Sequence, residues 1–598
     1  MRFSIILGGL LAAASLSAAD RPAGDLEARR QALKSLLDEQ WQYTLSTNPE
    51  FASILGDKRW NDKSSDTTPA AVARDLAKSA EFLKRFESID TTGFPEQEEL
   101  NKRLMVRNLR EQQENAPFRS WEMPVNQMSG IHLGAASFPA YLAFDSAKDF
   151  DDYIARLRNF PGQMDGVTES MRLGMKDGLM PPKFLLEKVV TQTRGIAEQA
   201  PEKSPFAEPL TKMPKSVPAA EQDRIRKDLV AAVRDSVLPA YARFAKFLAQ
   251  EYVPKGRSEP GMWSLPDGEA RYAAAVKSNT TTNLTPEEIH RIGLAQVSEI
   301  EVQMLGIAKK MGFSSLKAFN ASLEKNPDLH AKTGEQILDL YRHYIDQMYG
   351  KLPQLFGRLP KMKVEVKPVE AFREKEAAGA EYNQGTQDGS RPGRVEVNTS
   401  DPHGRKTISM ESTAYHEGVP GHHMQISIQQ ELPTIPPFRQ QGGYTAYSEG
   451  WALYSERLGK EVGFYQNPYN DYGRLQDEML RAIRLVVDTG FHAKRWTREQ
   501  VVQFFHDHSG TDEVEVQSET DRYIVWPGQA LGYKIGQLKI LELRARAQKA
   551  LGARFDLRKF HDEVLGAGAL PMDVLEERID AWIAAQKSQP KPFSARLV

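Results

Sequence analysis

Apolar residues recur at helical spacing along most of the chain. Near its start they share one helical face, as in Leu26, Leu33, Leu37, Trp41 and Leu45. A second stripe follows the capping sequence Thr285-Pro286-Glu287-Glu288 and contains Ile289, Ile292, Val297, Ile300, Met304 and Ile307. The alternation typical of strands is confined to residues 363–366 and 394–397. We therefore expect a mostly α-helical protein with one small β-sheet.

Two segments rich in helix-breaking residues interrupt this pattern. Residues 201–218 contain five prolines and predict an irregular connection, and residues 253–268 combine proline with glycine. The second segment is a candidate boundary between an N-terminal helical half, residues 20–252, and a C-terminal half, residues 269–598. We expect the two halves to form one functional unit.

The first 19 residues have the composition of a secretory signal peptide. Arg2 precedes an apolar run from Phe3 to Leu16, and the small residues Ser17 and Ala19 precede a cleavage point before Asp20. The run is shorter than the ~20 residues that a spanning helix needs, and no later stretch approaches that length. We expect a periplasmic or secreted protein without a membrane span. The chain has no cysteine, so we expect no lipid-modified N-terminus.

Charge and cysteine content exclude several classes of function. The 598 residues include 78 Lys and Arg and 80 Asp and Glu, a formal net charge of -2. Binding to nucleic acid is therefore not expected, because no basic excess is available to neutralise phosphates. The absence of cysteine excludes disulfides, thiolate nucleophiles and cysteine-based zinc fingers. A transition metal would have to be held by histidines and carboxylates.

Three of the twelve histidines lie within eight residues, in the run His416-Glu417-Gly418-Val419-Pro420-Gly421-His422-His423. The usual helical zinc motif, H-E-x-x-H, places two histidines on one face with the Glu beside a water molecule. Here Pro420 stands four residues after His416, and on a straight helix His422 would lie about 9 Å further along. Pro420 and Gly421 prevent a straight helix. A bulge absorbing two residues would return His422 to the second ligand position, which we favour over His423.

A third ligand is expected on the helix that follows. The segment S-E-G-W-A-L-Y-S-E, residues 448–456, comes after a glycine-rich turn and places Glu449 and Glu456 seven residues apart on one helical face. Glu449 lies nearer the turn and is the better ligand. His416, His422 and Glu449 therefore predict a catalytic zinc site of the two-histidine, one-glutamate type. His506 and His508 alternate on a short polar stretch, which is typical of a surface.

These motifs resemble known zinc peptidases. The segment at 448–456 is similar to the N-E-G-F-A-x-Y-x-E stretch that supplies the zinc-binding Glu in the aminopeptidase N family. More broadly, the chain resembles gluzincin peptidases such as neurolysin-type oligopeptidases, carboxypeptidase Taq and angiotensin-converting enzyme. A large bacterial family of unknown function matches best, with an H-E-G-x-P-G-H-H motif and segments like residues 284–290 and 527–536. The resemblance implies a large helical protein with a deep cleft and a small sheet near the active site.

The resemblance also implies roles for side chains outside the metal site. In gluzincins the Glu after the first His, here Glu417, takes a proton from the attacking water and passes it to the leaving amine. The D-R-Y-I-V segment looks like R-Y-F-V of angiotensin-converting enzyme, which implies that Tyr523 stabilises the oxyanion, with Tyr533 as the alternative. Arg522 and Lys534 are candidates for holding a substrate carboxylate, and an ordinary ion pair explains them equally well.

We therefore expect an exported zinc-dependent peptidase acting on short peptides, with a slight preference for a carboxypeptidase or dipeptidyl carboxypeptidase mode. One alternative is a zinc amidase acting on a non-peptide amide or a peptidoglycan stem. Another is a non-catalytic periplasmic binding protein with a structural metal site, which would not require Glu417. Residues 382–398 predict either an edge strand that pairs with an extended substrate or a surface hairpin.

Overall fold

The structure, a computed structural model, describes residues 23–369, 374, 378–386, 389 and 391–588, so the predicted signal peptide lies outside the described residues. It is mostly α-helical, as the sequence predicts. The helices before the glycine-rich segment at 253–268 are α1 (Ala23–Thr47), α2 (Pro49–Ile54), α3 (Pro69–Ser88), α4 (Glu96–Asn115), α5 (Ile131–Ser137), α6 (Ala147–Asp177), α7 (Lys183–Ala197), α8 (Ala219–Ala232) and α9 (Leu238–Phe247).

The later part of the chain is also helical, apart from the sheet described below. Its helices are α10 (Gly268–Thr280), α11 (Pro286–Lys310), α12 (Leu316–Glu324), α13 (Gly334–Tyr349), α14 (Leu352–Leu355), α15 (Met410–Glu417), α16 (His422–Gln430), α17 (Pro437–Gln441), α18 (Thr445–Glu461), α19 (Pro468–His492), α20 (Arg498–His508), α21 (Glu513–Val525), α22 (Leu531–Leu551), α23 (Leu557–Leu565) and α24 (Met572–Ser588). Short 3₁₀ and π turns join or extend several of them.

The local signals in the sequence explain where α11 begins and which face it buries. The Thr285 hydroxyl accepts from the Glu288 N–H, and the Glu288 carboxylate accepts from the Thr285 N–H, so both bonds of the capping box are present. Four members of the predicted stripe are fully buried, namely Ile289, Val297, Ile300 and Met304. This face packs against α19, which places α19 in the interior.

The sheet has three short strands, β1 (Glu365–Pro368), β2 (Ala380–Asn383) and β3 (Arg394–Val397), in the order β1-β3-β2. β3 has the predicted bounds, β1 begins two residues later than predicted, and β2 begins two residues before the segment 382–398, for which the sequence predicts an edge strand or a surface hairpin. β1 runs parallel to β3, with Glu365 opposite Arg394. β2 runs antiparallel to β3, with Ala380 opposite Val397, and lies at the edge of the sheet.

Four helices meet in the largest hydrophobic core of the described residues, and three of them carry candidate site residues. Helices α13, α15, α18 and α22 contribute to this core, and so do Leu100 and Leu104 of α4. A second core is built almost entirely from residues 125–253. The predicted boundary at 253–268 stays a prediction. Helix α4, which lies before this boundary, packs into the core formed by the later helices. None of the described helices is long and apolar enough to cross a membrane.

Candidate metal centre

A sharp loop separates the two predicted histidine ligands. Helix α15 ends at Glu417, the Val419–Pro420 peptide is cis, and α16 begins at His422. The Gly421 N–H bonds to the Tyr415 carbonyl at 3.0 Å, which turns the chain back over α15. A Cβ on Gly421 would lie 1.9 Å from the His416 carbonyl oxygen, so only glycine fits this approach.

The loop brings three ligand atoms of the sequence-predicted set together. Glu449 Oε2 lies 3.6 Å from His416 Nε2 and 3.3 Å from His422 Nε2. The two imidazole rings are nearly perpendicular, at 86°, with their centroids 4.9 Å apart. His416 is almost fully buried, and the side chain of Glu449 is 18% exposed. The insertion in the H-E-x-x-H motif is therefore accommodated by a break between two helices.

These separations fit a tetrahedral zinc ion. With metal–ligand bonds of ~2.0–2.1 Å, the edges of a tetrahedron are about 3.3–3.4 Å long, close to both measured distances. Glu449 Oε2 and His422 Nδ1 are buried atoms without a hydrogen-bond partner in the described part of the chain. Nitrogen and carboxylate donors of this kind, without thiolates, suit zinc. His416, His422 and Glu449 are thus the residues that would hold it.

Glu456 supports the first histidine from the opposite side. Its Oε1 lies 2.7 Å from His416 Nδ1, and because a carboxylate accepts, Nδ1 carries the hydrogen. Nε2 is then the ring nitrogen that faces Glu449. Burial opposes protonation of His416, but Glu449, Glu456 and Glu417 outweigh it and raise the pKa of His416 to about 10. The surroundings of His416 therefore favour positive charge at this position.

Glu417 lies beside the same histidine atoms. One of its oxygens lies within 4.8 Å of a ring nitrogen of both His416 and His422. Burial, reinforced by the charge of Glu449, raises the pKa of Glu417 although His416 and His422 oppose this. A carboxyl group next to the metal ligands with a raised pKa suits proton transfer.

His423, the alternative ligand, is occupied elsewhere. Its Nε2 lies 2.9 Å from the Met362 carbonyl oxygen, and its Nδ1 lies 3.2 Å from the Tyr382 hydroxyl and 3.3 Å from the Ser427 hydroxyl. It is fully buried, and burial lowers the pKa of His423 to about 4. The geometry thus brings His422, and not His423, to Glu449.

Two glycines set the distance between α18, which carries Glu449, and α22. A Cβ on Gly450 would lie 2.5 Å from Gly536 Cα, and one on Gly536 would lie 1.8 Å from the Ala446 carbonyl oxygen. The helix backbones are therefore in direct contact. Tyr533, one turn before Gly536, stacks on the His416 ring with centroids 6.4 Å apart and an interplanar angle of 16°.

The two candidate tyrosines differ in what their hydroxyl groups contact. The Tyr523 hydroxyl donates to Glu519 and accepts from Arg484 Nε at 3.2 Å, and the residue is fully buried. The Tyr533 hydroxyl accepts from Arg522 Nη2 at 3.1 Å. Since a guanidinium only donates, the Tyr533 hydroxyl hydrogen stays free to be donated. Of the two, Tyr533 is therefore the tyrosine whose hydroxyl can still donate to an oxyanion.

The candidate carboxylate binders are paired within the protein. Lys534 donates to Glu478 at 2.7 Å and to Gln537 at 2.8 Å, and burial lowers the pKa of Lys534 against the effect of Glu478. Arg522 contacts Glu519 at 3.1 Å and Gln529 at 2.9 Å. Both ion pairs match the structural explanation that the sequence left open.

Two arginines of α19 were not identified from the sequence. Arg484 lies 4.5 Å from the centre of the Tyr533 ring and pairs with Glu519 at 2.8 Å. Arg481 bonds the Asp477 carbonyl at 3.1 Å and acts on the charge of Glu417. A sequence signal that could have identified them is R-A-I-R, in which two arginines interrupt a buried apolar helix.

The remaining histidine pair shares no ligand site. His506 contacts Glu513 at 2.8 Å, and His508 contacts Glu301 at 2.8 Å. Their imidazoles bind different carboxylates, and the side chains are 43% and 31% exposed. This agrees with the surface assignment.

Comparison with solved structures finds similar folds over nearly the whole chain. A "putative lipoprotein" from Colwellia psychrerythraea is 31% identical, with a TM-score of 0.88, covering 93% of this chain and 99% of that one. A "putative lipoprotein of unknown function" from Shewanella oneidensis shares the fold, at 18% identity and a TM-score of 0.68, covering 92% and 99%. No curated protein matches the chain.

The family comparison covers most of the sequence. Residues 49–579 match the model of a bacterial protein family of unknown function, DUF885. The match contains His416, His422, Glu449 and every other residue of the candidate centre. The chain therefore belongs to the bacterial family DUF885.

Proposed function

We propose that the protein is a zinc-dependent peptidase that hydrolyses short peptides. The observation that carries the proposal is the convergence of His416 Nε2, His422 Nε2 and Glu449 Oε2, with Glu417 beside them. Zinc, when bound, supplies Lewis acidity that activates water and polarises a carbonyl group. The proposed relationship to gluzincins is supported by the H-E-G-V-P-G-H-H and S-E-G-W-A-L-Y-S-E segments.

Each residue beside the ligands has a proposed task. Glu417 takes a proton from the attacking water and returns it to the leaving amine. Tyr533 donates its free hydroxyl hydrogen to the oxygen that gains negative charge, in place of Tyr523, whose hydroxyl already donates to Glu519. Glu456 holds His416 in the orientation that presents Nε2.

Arg481 is the proposed anchor for a substrate carboxylate. Within the described chain its Nη1 donates to the Asp477 carbonyl and lies 3.6 Å from Asp477 Oδ1 in an ion pair, and its side chain is 14% exposed. This leaves Nη2 available, unlike the terminal nitrogens of Arg522 and Lys534. A free C-terminal carboxylate near the scissile bond would favour the carboxypeptidase or dipeptidyl carboxypeptidase mode.

The anchor has its own test in steady-state kinetics. Arg481→Ala should raise KM about tenfold or more for peptides with a free C-terminus, because a charge-assisted hydrogen bond is lost. Peptides with an amidated C-terminus should show little change. An equal change for both peptide series would assign Arg481 a structural role.

Export is proposed on separate grounds. The segment 1–19 has the composition of a signal peptide, and both solved relatives are described as lipoproteins, a class of exported proteins. A substrate outside the cytoplasm, such as a short peptide in the periplasm, is consistent with this. Fractionation of cells that express the tagged chain tests it, and recovery of full-length protein in the cytoplasm would contradict export.

The decisive experiment compares wild type with Glu417→Gln on a mixed peptide library, with products identified by mass spectrometry. The variant should keep its zinc and thermal stability, because Glu417 is not a proposed ligand, and lose about 10² or more in hydrolysis. Glu461→Gln is the matched control, since Glu461 pairs with Arg544 on the surface of α18. Unchanged hydrolysis in Glu417→Gln would refute the mechanism. Loss of zinc would favour the binding protein with a structural metal site.

A further inference from the structure

A cavity of about 350 Å³ lies outside the metal centre. Its walls come from five parts of the chain: the end of α4 with the segment after it, the two prolines before α7, the segment 257–265, helix α10, and the end of α21 with the turn after it. None of the metal ligands, and neither Glu417 nor Tyr533, lines it. The volume is at the small end of the ~300–1,000 Å³ range of ligand sites.

The cavity contains two arginines that lack a counter-ion. Arg271 is 5% exposed, and its guanidinium forms one hydrogen bond, from Nε to the Pro266 carbonyl at 2.7 Å. Arg257 donates to oxygens of Met180, Gly261 and other neighbours, which are carbonyls or a hydroxyl. Neither arginine forms an ion pair with any carboxylate in the described ranges. Most guanidinium groups of the metal-centre region, by contrast, pair with acids.

Removal from water disfavours the charged form of both arginines, of which Arg271 is buried and Arg257 half-buried. Desolvation lowers the pKa of Arg257 to about 10, with Glu259 opposing only in part. Burial also lowers the pKa of Arg271; the charges of Asp267 and Glu122 oppose this, and the charge of Arg119 adds to it. Buried cations are normally paired, because removal from water costs several kcal/mol. An anion in the cavity would provide the missing partner.

The remaining wall determines what kind of anion fits. Phe118 lies 5.4 Å from the Arg271 guanidinium, and Met123, Leu265 and Val525 add further apolar surface. Asn279 and Ser278 supply polar groups at one side. Inorganic phosphate would leave the apolar surface uncovered, whereas an aliphatic or aromatic acid would contact both kinds of wall.

We propose that this cavity binds a small organic carboxylate with an apolar body, held by Arg271 and Arg257. The site is separate from the proposed peptidase centre and does not depend on its metal. Two links connect the cavity to the proposed peptidase centre. Val525 of the cavity wall follows Arg522 and Tyr523 on α21, and Asn279 of the wall accepts a hydrogen bond from Thr445, four residues before Glu449. The same site would accept a free acid or the end of a short peptide.

Calorimetric titration of the full-length protein with phenylacetate tests the proposal, with phenylacetamide as the neutral analogue and acetate as the analogue without an apolar body. Phenylacetate should bind at least about tenfold more tightly than either, because only it satisfies both the charge and the apolar wall. Chelation of metal should leave this affinity unchanged, which separates the result from any failure of the peptidase proposal.

Three variants locate the binding. Arg271→Gln removes a positive charge from the cavity wall, whereas Ser278→Leu fills part of the cavity and keeps both arginines. Each variant should weaken phenylacetate binding by about tenfold or more. Arg243→Gln, an exposed arginine outside the cavity, is the matched control and should bind as wild type. If Arg271→Gln fails to fold, Ser278→Leu decides.

Three results would overturn the proposal. The first is no saturable binding by folded wild type at about 10 mM phenylacetate. The second is equal affinity for phenylacetate and phenylacetamide. The third is binding that disappears on chelation and persists in Ser278→Leu, which would place the carboxylate at the metal centre instead.

Discussion

Replacing each of the adjacent histidines His422 and His423 by alanine should produce opposite defects. His422 Nε2 lies 3.3 Å from Glu449 Oε2, and its Nδ1 has no protein partner in the described residues. His423 Nε2 instead lies 2.9 Å from the Met362 carbonyl. We expect His422→Ala to lose zinc without losing stability, and His423→Ala to lose stability while keeping zinc.

The size of each effect follows from these contacts. Structural zinc sites bind with ~10–16 kcal/mol, so an even share among four ligands is about 2.5–4 kcal/mol, or a factor of roughly 10²–10³ in affinity. His422→Ala should weaken zinc binding by about that factor. His423→Ala empties a fully buried position and removes the bonds to the Met362 carbonyl and the Tyr382 hydroxyl, which costs about 1–3 kcal/mol of folding free energy. Its zinc affinity should change by less than about tenfold.

Two measurements on the same preparations separate the variants. Competition against a chromophoric chelator gives the zinc affinity, and chemical unfolding of the metal-free protein gives the stability. His343→Ala, at an exposed histidine of α13, is the control for loss of an imidazole and should change neither quantity. Loss of zinc in His423→Ala, with His422→Ala still binding it, would refute the assignment of the second ligand and the role given to the loop.

Three further predictions concern the neighbours of the ligands and the core. Tyr533→Phe should lower kcat by about 10²–10³ with KM little changed, and Tyr523→Phe should lower it less; the reverse order in steady-state assays would return the oxyanion role to Tyr523. Glu456→Gln should weaken zinc affinity by about 10- to 100-fold in chelator competition, because His416 loses its charged partner; an unchanged affinity would contradict that support. Burial raises the pKa of Asp488 to about 7, compared with ~3.9 in the unfolded chain. Between these two pH values the folded state keeps a proton that the unfolded state releases, so the stability falls as the pH rises. Melting curves from about pH 5 to about pH 7.5 should therefore show a shallower decline for Asp488→Asn than for wild type.

The sequence was most informative where the signals are local. The helical stripe and capping box of α11, and the position of β3, depend on residues within a few positions of each other, and the structure has them as predicted. The strand at 380–383 was predicted only as part of the edge strand or surface hairpin at 382–398, because one short alternation, Ala380-Glu381-Tyr382-Asn383, does not fix its bounds. Their strand conformation comes from pairing with β3, which is a tertiary contact.

The candidate centre was predictable in part for the same reason. The spacing of residues within two short motifs was enough to select His416, His422 and Glu449, because each motif occupies fewer than ten consecutive residues. Of the two partners of the Tyr523 hydroxyl, Glu519 lies four residues earlier on the same helix, whereas Arg484 is 39 residues away in sequence and reaches the hydroxyl only after α19 packs against α21. A family motif identifies a residue type at a position but does not determine which neighbour its hydroxyl contacts.

The contact between Gly450 and Gly536 has a consequence for motion. Side chains at a helix interface can change rotamer and let the helices slide, but two backbones in contact have no such freedom. Thermal fluctuations should therefore carry Glu449 and Tyr533 together as parts of one rigid body, leaving their separation unchanged while the surrounding loops move. Substrates would then have to be accommodated by movement of the other walls of the site, and variation in peptide size would be tolerated only there.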